Sequence, residues 1–346
     1  MYDNFDQVFT YVHMVKSWKK ARKGVMWKRN TQLYDINYSL HIQITLSKLR
    51  KGTWKSPGFH RFTIHERGKI RHIMSVRPEE KTIQKCLCDY CITPLLNRVF
   101  IYNNAATRKG KGYHFALRQL KKILHGKESA WALLFDFHNY FASIRHDIIK
   151  MKIGRFIHDW RIIRLLHHLI DCFGEIGLGL GSQISQNLAL LMADEIDHVI
   201  AEVIRPEGYL RYMDDGVVVD GDRAKLKRCE SEICRIAERN GLVINEKKTS
   251  ILPIRCGFGF LKKRFRLTNG IIIMKICRKS ITHARQKLKK LAAQAEKAEL
   301  PRQTVYDSMQ SWRSYAEYGN AHYTIRNYEK LYTELVLGKY ERSVLS

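Results

Sequence analysis

The chain is organised around one stretch, Gly208-Tyr209-Leu210-Arg211-Tyr212-Met213-Asp214-Asp215-Gly216-Val217-Val218-Val219. Two adjacent carboxylates, Asp214 and Asp215, stand between two short apolar runs. Apolar runs bounded by glycine are typical of strands joined by a tight turn. Two carboxylates at one hairpin tip repel each other, so the arrangement is costly unless a cation offsets their charge. An isolated Asp-Asp pair is most commonly a solvated acidic turn, and its interpretation depends on the rest of the chain.

The charge of the chain is strongly positive. Its 346 residues include 61 Lys and Arg against 33 Asp and Glu, a net charge of +28, and the pI is about 9.8. The excess is spread from Lys16 to Arg342, so a polyanion is the simplest partner and nucleic acid the leading candidate. An anionic membrane surface is the alternative, but no apolar run approaches the roughly 18–20 residues that a membrane span needs. We expect no membrane association.

Length and cysteine content narrow the class further. The chain is long enough for two or three subdomains with a real core. The N-terminus has neither the basic nor the apolar part of a signal peptide, so we expect a cytoplasmic protein. Eight cysteines fit reduced thiols better than a disulfide framework. Zinc at Cys86, Cys88 and Cys91 is not favoured, because no second Cys pair or His lies at ligand spacing.

A second carboxylate ends an apolar strand, Trp131-Ala132-Leu133-Leu134-Phe135-Asp136-Phe137. A carboxylate inside such a run is costly to bury and needs a partner. Two carboxylate-bearing strands side by side would bring Asp136 to Asp214 and Asp215. Three converging acids in a basic protein suit two-metal phosphoryl transfer. We therefore expect two Mg²⁺ ions at these aspartates, with Mn²⁺ as a substitute.

Two further segments suit phosphate binding. Residues 58–65 and 69–76 predict strands joined by a glycine turn, and Lys69 and Arg71, two apart, share one face. An exposed polar face of a hairpin is an equally good interpretation. The loop 103–114 combines two glycines with three cations, Arg108, Lys109 and Lys111, before a helix from about residue 115 to 124. A solvated basic loop is about as plausible there.

The remaining pattern is mostly helical. Residues 1 to about 50 predict helices, although the alternation over 38–46 also permits a strand. A glycine-dense loop, 174–181, precedes a long helix from about Ser182 through Val199. A helix over 222–240, strands over 241–249 and 256–262, and a hairpin around Asn269-Gly270 follow. A basic helix is predicted from about Lys275 to near Pro301, and an aromatic-rich segment ends the chain.

Taken together, these motifs resemble the reverse transcriptase family along nearly the whole chain. Tyr212-Met213-Asp214-Asp215 matches the catalytic Tyr-x-Asp-Asp box, and Phe135-Asp136-Phe137 through Phe141 matches the first acidic motif. The resemblance implies an α+β fold with right-hand polymerase architecture. Its fingers would span 1–125, its palm 126–270 and its helical thumb 271–346, with 151–195 partly connecting fingers and palm.

The resemblance also implies roles for individual residues. Asp136, Asp214 and Asp215 would be the catalytic metal ligands, with a backbone carbonyl from Phe137. Phe141 falls at an aromatic steric gate that favours deoxynucleotides. The dNTP contacts would come from Lys69, Arg71, Phe141, Gln186 and Lys248, and Lys248 is better placed than Lys247 as a general acid. Template and primer would contact Arg108, Lys109, Lys111, Gly181, Ser185, Tyr212, Met213, Phe260, Leu261 and Lys287.

The implied activity is RNA-directed DNA polymerisation, with template RNA, an RNA/DNA hybrid and dNTPs as partners. Gly181 leading to Ser185-Gln186, Arg108 to Gly112, and Ser311 to Ala316 are similar to diversity-generating retroelement enzymes. Those bacterial or phage-encoded enzymes copy a structured RNA with errors opposite adenines and work with an accessory protein. Gly179 stands where they commonly have proline, which leaves antiphage-defence reverse transcriptases open.

Other kinds of protein make different predictions. A retron enzyme is less favoured, because no Val-Thr-Gly occurs in the expected thumb, and the length argues against a complete intron or retroviral enzyme. A catalytically silent RNA-binding protein would depend on its basic surface alone. An RNA-templated RNA polymerase would prefer rNTPs.

Overall fold

The structure, a computed structural model, describes residues 3–66 and 69–336, without the side chains of Glu66, Lys69 and Arg71. Four helices begin the chain: α1 Phe5–Val8, α2 Tyr11–Ala21, α3 Arg29–Ile36 and α4 Tyr38–Arg50. The ambiguous stretch over 38–46 is helical, because Ile42, Leu46 and Leu49 then share one buried face.

A hairpin and a long helical segment follow. Strands β1 Phe59–Glu66 and β2 Lys69–Val76 pair antiparallel, as predicted, and the connecting residues 67 and 68 lie outside the described residues. The next helix begins as α5 Pro78–Leu87, widens to a π-helix over Cys88–Ile92 and continues as α6 Thr93–Val99. Helix α7, Tyr113–Leu124, begins two residues earlier than its sequence pattern indicates.

A four-stranded antiparallel sheet forms the centre of the molecule. It contains β3 Trp131–Phe135, β4 Gly208–Tyr212, β5 Asp215–Asp220 and β6 Ser250–Pro253, in the order β4-β5-β3-β6. Leu133 and Val218 pack into one hydrophobic core, whereas their neighbours Ala132 and Val219 pack into another. Since side chains alternate between the faces of a strand, both faces of this sheet are buried.

Six further helices share a core with one face of this sheet. They are α8 Tyr140–Ser143, α9 His146–Gly154, α10 Trp160–Asp171, α11 Gln183–Met192, α12 Asp194–His198 and α13 Arg223–Arg239. The single long helix predicted from Ser182 through Val199 is wrong. It ends at Met192, restarts at Asp194 and becomes a π-helix over Val199–Ile204. The interruption coincides with two buried carboxylates, Asp194 and Asp197, which an apolar periodicity does not reveal.

The strand predicted over 241–249 is also wrong. This segment forms a single bridge, Phe137↔Ile244, followed by a turn in which the amides of Lys248 and Thr249 donate to the Asn245 carbonyl. Its backbone lies against the end of β3, where the Asn245 amide donates to the Asp136 carbonyl over 2.8 Å. The strand begins only at Ser250.

A second sheet and three helices complete the described part of the chain. After a short 3₁₀ helix, Ile254–Cys256, strands β7 Phe258–Phe260, β8 Lys263–Thr268 and β9 Ile271–Ile276 pair in that order. The predicted Asn269-Gly270 turn joins β8 to β9. Helices α14 Arg278–Glu296, α15 Arg302–Glu317 and α16 His322–Val336 pack around a core of their own that includes Leu288, Val305 and Tyr328. The basic helix starts at Arg278 rather than Lys275, because Lys275 belongs to β9.

Two simpler features complete the description. Within residues 3–66 and 69–336, no helix combines the length and apolar character that crossing a bilayer requires. The eight cysteines are free thiols, and Cys86, Cys88 and Cys91 are buried.

Candidate active site

Two aspartates meet where β3 and β5 pair at one end of the central sheet. The register Phe135↔Gly216 brings Asp136, the residue after β3, beside Asp215, the first residue of β5. A Cβ atom at Gly216 would lie 2.1 Å from the Phe135 ring. Only glycine therefore allows the two strands to approach this closely beside the carboxylates.

Asp214 reaches the same place through a tight turn. Strands β4 and β5 pair as far as Tyr212↔Asp215, so Met213 and Asp214 alone form the turn, and the hairpin predicted from the sequence is confirmed. Met213 has a φ of 60°, a left-handed conformation that non-glycine residues rarely adopt. The third carboxylate is thus held on a strained turn.

Asp136 is buried, with 4% of its surface exposed, and its carboxylate has specific partners. Its Oδ2 accepts hydrogen bonds from Lys248 Nζ over 2.7 Å and from Asn245 Nδ2 over 2.9 Å. Lys247 is exposed. Lys248 is exposed as well, so it is the hydrogen bond to Asp136, and not exposure, that distinguishes Lys248 from Lys247.

Negative charge is crowded among the three carboxylates. Burial and repulsion by Asp136 raise the pKa of Asp214. Burial, repulsion by Asp214 and Asp136, and a hydrogen bond with Asp136 raise the pKa of Asp215 to about 7. Burial alone would lower the pKa of Lys248, but its hydrogen bond to Asp136 and the attraction of the carboxylates raise it. The cluster therefore favours a nearby cation.

The donor chemistry of the cluster fits a hard divalent cation, because such ions prefer carboxylate and carbonyl oxygens. The crowding that raises the pKa of Asp214 and Asp215 also favours a bound cation. In the part of the chain that the structure describes, however, no group of three or more His, Cys, Asp or Glu side chains is arranged to hold a metal ion. Lys248 instead supplies the compensating positive charge at Asp136.

A buried ion pair that the sequence interpretation missed lies behind the turn. The side chains of Arg211 and Asp197 are both 0% exposed, and Arg211 Nη2 lies 2.6 Å from Asp197 Oδ2. Arg211 Nη1 also donates to the Met213 carbonyl over 2.7 Å. The available signal was an arginine inside the apolar run Gly208–Tyr212, which a buried strand accepts only with a buried acid as partner.

The glycine-dense loop connects the predicted nucleotide-binding segments. The Leu178 amide donates to the carbonyl of half-buried Phe141 over 2.7 Å, and Leu180 forms a parallel bridge with Ile73 of β2. Gly181 has a φ of 104° and is exposed. Of the two residues predicted just beyond it, Gln186 is partly exposed and Ser185 is buried.

The predicted triphosphate-binding residues lie on the same hairpin. Lys69 and Arg71 lie on β2, where their backbones pair with Glu66 and Ile64 of β1. Their side chains lie outside the described residues.

Two of the three cations in the loop 103–114 are engaged within the protein. Arg108 Nε donates to Asn97 Oδ1, its Nη1 donates to the carbonyls of Ile101 and Asn104, and its Nη2 donates to the Asn97 carbonyl. Lys111 donates to the Tyr102 carbonyl, and burial lowers its pKa to about 8. Lys109 is exposed. The loop thus presents fewer solvent-facing cations than its sequence indicates.

The remaining predicted contacts lie on β4, β7, α14 and the turns beside the strands. Phe260 is buried, whereas Lys287 is exposed. Leu261 and Lys262 form the β7–β8 turn with φ values of 48° and 63°, and the Tyr113 hydroxyl donates to the Leu261 carbonyl over 3.3 Å. Tyr212 and Met213 are half-buried beside the carboxylates.

Comparison with known proteins complements this geometry. The family described as "Reverse transcriptase (RNA-dependent DNA polymerase)" matches residues 55–298. Protein YkfC of Escherichia coli (strain K12) is 23% identical over 282 residues, covering 68% of this chain and 74% of that protein. Among solved structures, apo telomerase from Candida tropicalis, truncated from its C-terminal domain, aligns over 63% of this chain with 13% identity and a TM-score of 0.46. The chain spans 55% of the length of that structure.

Proposed function

This chain belongs to the reverse transcriptase (RNA-dependent DNA polymerase) family, and we propose that Asp136, Asp214 and Asp215 form its centre for RNA-templated DNA synthesis. The observation that carries the proposal is the convergence of these carboxylates at one end of a single sheet. The net charge of +28 supports an extended polyanionic partner. Template RNA, an RNA/DNA hybrid and dNTPs are the expected ligands.

The cofactor would be a pair of divalent ions. Reverse transcriptases generally use divalent metal ions, and here Asp136, Asp214, Asp215 and the backbone carbonyl of Phe137 would hold two Mg²⁺, for which Mn²⁺ would substitute. When bound, such ions lower the pKa of the primer 3′-hydroxyl and neutralise charge on the triphosphate and leaving pyrophosphate. The Phe137↔Ile244 bridge supports this role, because its two hydrogen bonds use the backbone of the flanking residues and not the Phe137 carbonyl.

Lys248 would have one role before substrate binds and another once substrate is bound. Before substrate binds, its ammonium group balances the buried Asp136 carboxylate, to which it already donates a hydrogen bond. With substrate bound, it would give a proton to the leaving pyrophosphate, as general acids do in such transfers. The contact with Asp136 supports Lys248 over the neighbouring Lys247.

The nucleotide would lie between β2 and the glycine-dense loop. Lys69 and Arg71 would clamp its phosphates, Phe141 would exclude a ribose 2′-hydroxyl, and Gln186 would contact the nucleotide. The hydrogen bond from Leu178 to Phe141 and the bridge between Leu180 and Ile73 support this, because they tie the gate and the hairpin to one loop.

Template and primer would extend across the basic surface. Lys109 and Lys287 are exposed and suit backbone phosphates. The family resemblance adds further contacts, namely Arg108, Lys111, Gly181, Ser185, Tyr212, Met213, Phe260 and Leu261. Of these, Arg108 and Lys111 already donate within the protein, and Ser185 and Phe260 are buried. In right-hand terms, the fingers would comprise 1–125, the palm 126–270 and the thumb 271–346, and the separate helical core around Leu288 supports a distinct thumb.

The biological system would be a diversity-generating retroelement. The pattern from Gly181 to Ser185-Gln186 supports this assignment, as do the segments Arg108–Gly112 and Ser311–Ala316. The enzyme would then copy a structured template RNA with errors opposite adenines, together with an accessory protein, inside a bacterial cell. Sequencing the flanking DNA tests this: a near-identical repeat pair differing at adenines supports it, and its absence contradicts it.

One observation favours antiphage defence as the second candidate. Gly179 replaces a proline common in retroelement enzymes, and a Cβ atom there would lie 2.6 Å from the Phe173 ring. A larger residue at position 179 would therefore clash with the Phe173 ring as it packs in this chain. A noncoding-RNA gene beside the coding sequence, without a repeat pair, would support the defence assignment.

Primer extension tests the proposed activity. Purified protein, a primed RNA template and Mg²⁺ should give DNA products with dNTPs and far fewer products with rNTPs. RNA binding without extension would instead indicate a silent RNA-binding protein. Preference for rNTPs would indicate an RNA-templated RNA polymerase.

A further inference from the structure

The guanidinium group of Arg211 donates a hydrogen bond to the backbone of the turn that carries Asp214. Met213 adopts a φ of 60° in a two-residue turn. Such backbone strain persists only where surrounding contacts hold it. The contact here is the 2.7 Å hydrogen bond from Arg211 Nη1 to the Met213 carbonyl. The peptide that accepts this bond directly precedes Asp214.

Arg211 is itself fixed in place. Its Nε and Nη2 each donate to a different oxygen of Asp197 over 2.6 Å, and Nη2 also donates to the Leu190 carbonyl over 3.1 Å. Each nitrogen of the guanidinium group therefore has an acceptor inside the protein. Such a planar fork cannot rotate without breaking several bonds together.

Asp197 is held in turn by two further side chains. The Tyr209 hydroxyl donates to its Oδ1 over 2.7 Å, and Asn104 Nδ2 donates to its Oδ2 over 3.2 Å. Tyr209 lies on β4, as does Arg211, and Asn104 lies on the loop between α6 and α7, so the ion pair connects α12, β4 and that loop. The Arg211 backbone pairs with the same loop, because its carbonyl accepts from the Ala105 amide over 2.9 Å.

Stability alone is a poor explanation for this pair. Two fully buried charges lose their hydration, and well-packed apolar side chains often replace such pairs without loss of stability. Apolar side chains could not, however, supply a hydrogen bond to the Met213 carbonyl. The directional contact to the turn is what distinguishes Arg211 from a hydrophobic substitute.

We infer that Arg211, held by Asp197, is a positioning residue that fixes the turn and thereby sets where the Asp214 and Asp215 carboxylates stand. The inference rests on the proposed function, because positioning matters only if these carboxylates take part in DNA synthesis. It assigns no contact with substrate to Arg211.

The test is steady-state primer extension with Arg211→Lys and with the double variant Arg211→Met/Asp197→Leu. Lysine keeps the charge, but its single nitrogen cannot bond Asp197 and the Met213 carbonyl in the same geometry. The double variant removes the charges as a pair. We expect kcat to fall about 10- to 100-fold in both, since small displacements at a reacting centre have effects of this size. KM for dNTP and the affinity for an RNA/DNA hybrid should remain near their wild-type values.

Asp194→Asn is the control, because it removes a buried carboxylate of the same helix that pairs with His198, while the hydrogen bonds from Arg211 to Asp197 and to the Met213 carbonyl stay in place. It should retain the wild-type kcat. A wild-type kcat in either Arg211 variant that binds the hybrid would overturn the inference. So would early melting with loss of hybrid binding in both variants, since the pair would then be a folding element. An inactive wild-type protein would instead overturn the proposed function.

Discussion

Lys248 Nζ lies 2.7 Å from Asp136 Oδ2, although the lysine side chain is 55% exposed and the aspartate side chain only 5%. A surface cation thus reaches inward to a buried carboxylate at the end of β3. Asp136 stands beside the two carboxylates of the turn, so Lys248 balances part of the charge of the whole cluster. This contact distinguishes Lys248 from Lys247, which the sequence alone could not do with certainty.

Lys248→Met should lower kcat for dNTP incorporation by about 100-fold, because the cluster loses both a balancing charge and the proposed general acid. Lys247→Met is the matched control, since Lys247 is adjacent, exposed and carries the same charge. Steady-state extension under saturating dNTP compares kcat of the two variants. Equal losses in both variants would contradict the assignment of Lys248.

Phe141→Ala should weaken the discrimination between dNTPs and rNTPs by about 10-fold or more, because removing the ring opens space for a 2′-hydroxyl. The measurement is the ratio of kcat/KM for dGTP to kcat/KM for GTP on one template. Phe156→Ala, another half-buried phenylalanine packed against the same core, controls for general loosening. An unchanged ratio would show that Phe141 is not the gate.

Arg108 and Lys109, although adjacent, should respond differently to alanine. Arg108→Ala removes hydrogen bonds to the backbone around Asn97, Ile101 and Asn104 and should cost about 2–3 kcal/mol of unfolding free energy. Lys109→Ala should leave stability unchanged and reduce the slope of log K against log salt for RNA binding by about 1. Urea denaturation and RNA titrations at several salt concentrations measure the two effects. Interchanged results would contradict the contacts described for this loop.

Asp194→Asn should stabilise the protein at pH 7.5 but hardly at pH 4. Burial and repulsion by Asp197 raise the pKa of Asp194 from 3.8 to about 6. The folded state therefore binds a proton that the unfolded state has lost between these values, and stability from this site declines as pH rises through about 6. Asparagine imitates the protonated form, and the expected gain at pH 7.5 is about 1–3 kcal/mol of unfolding free energy. A gain that is independent of pH would contradict this account.

The sequence predicted most of what the catalytic cluster needs. Strand β3 ending at Asp136 and the Asp214-Asp215 hairpin follow from local apolar patterns, which depend on neighbouring residues alone. The sequence did not reveal the ion pair between Arg211 and Asp197, because a partner 14 residues away in a different element leaves no periodic signal. The interruption of the helix after Met192 was missed because the buried carboxylates Asp194 and Asp197 likewise leave no periodic signal. Segment 241–249 was misjudged because its backbone bonds to the end of β3 rather than to a continuous strand.

The same limit applies to the basic loop before α7. Composition alone could not tell a cation that faces solvent from one whose donors are used internally. Arg108 and Lys109 look alike in the sequence, yet Arg108 donates to four acceptors within the protein and Lys109 is exposed.

The central claim concerns the three aspartates, and primer extension on an RNA template by Asp136→Asn and Asp214→Asn tests it most directly. Asparagine preserves the size of each side chain but removes the charge that would hold a divalent ion. Asp147→Asn, at a carboxylate that is 62% exposed and pairs with Arg145, provides the control. We predict that both cluster variants bind the RNA/DNA hybrid and incorporate no dNTP, while the control extends the primer like the wild type. Wild-type DNA synthesis by either cluster variant would contradict the account.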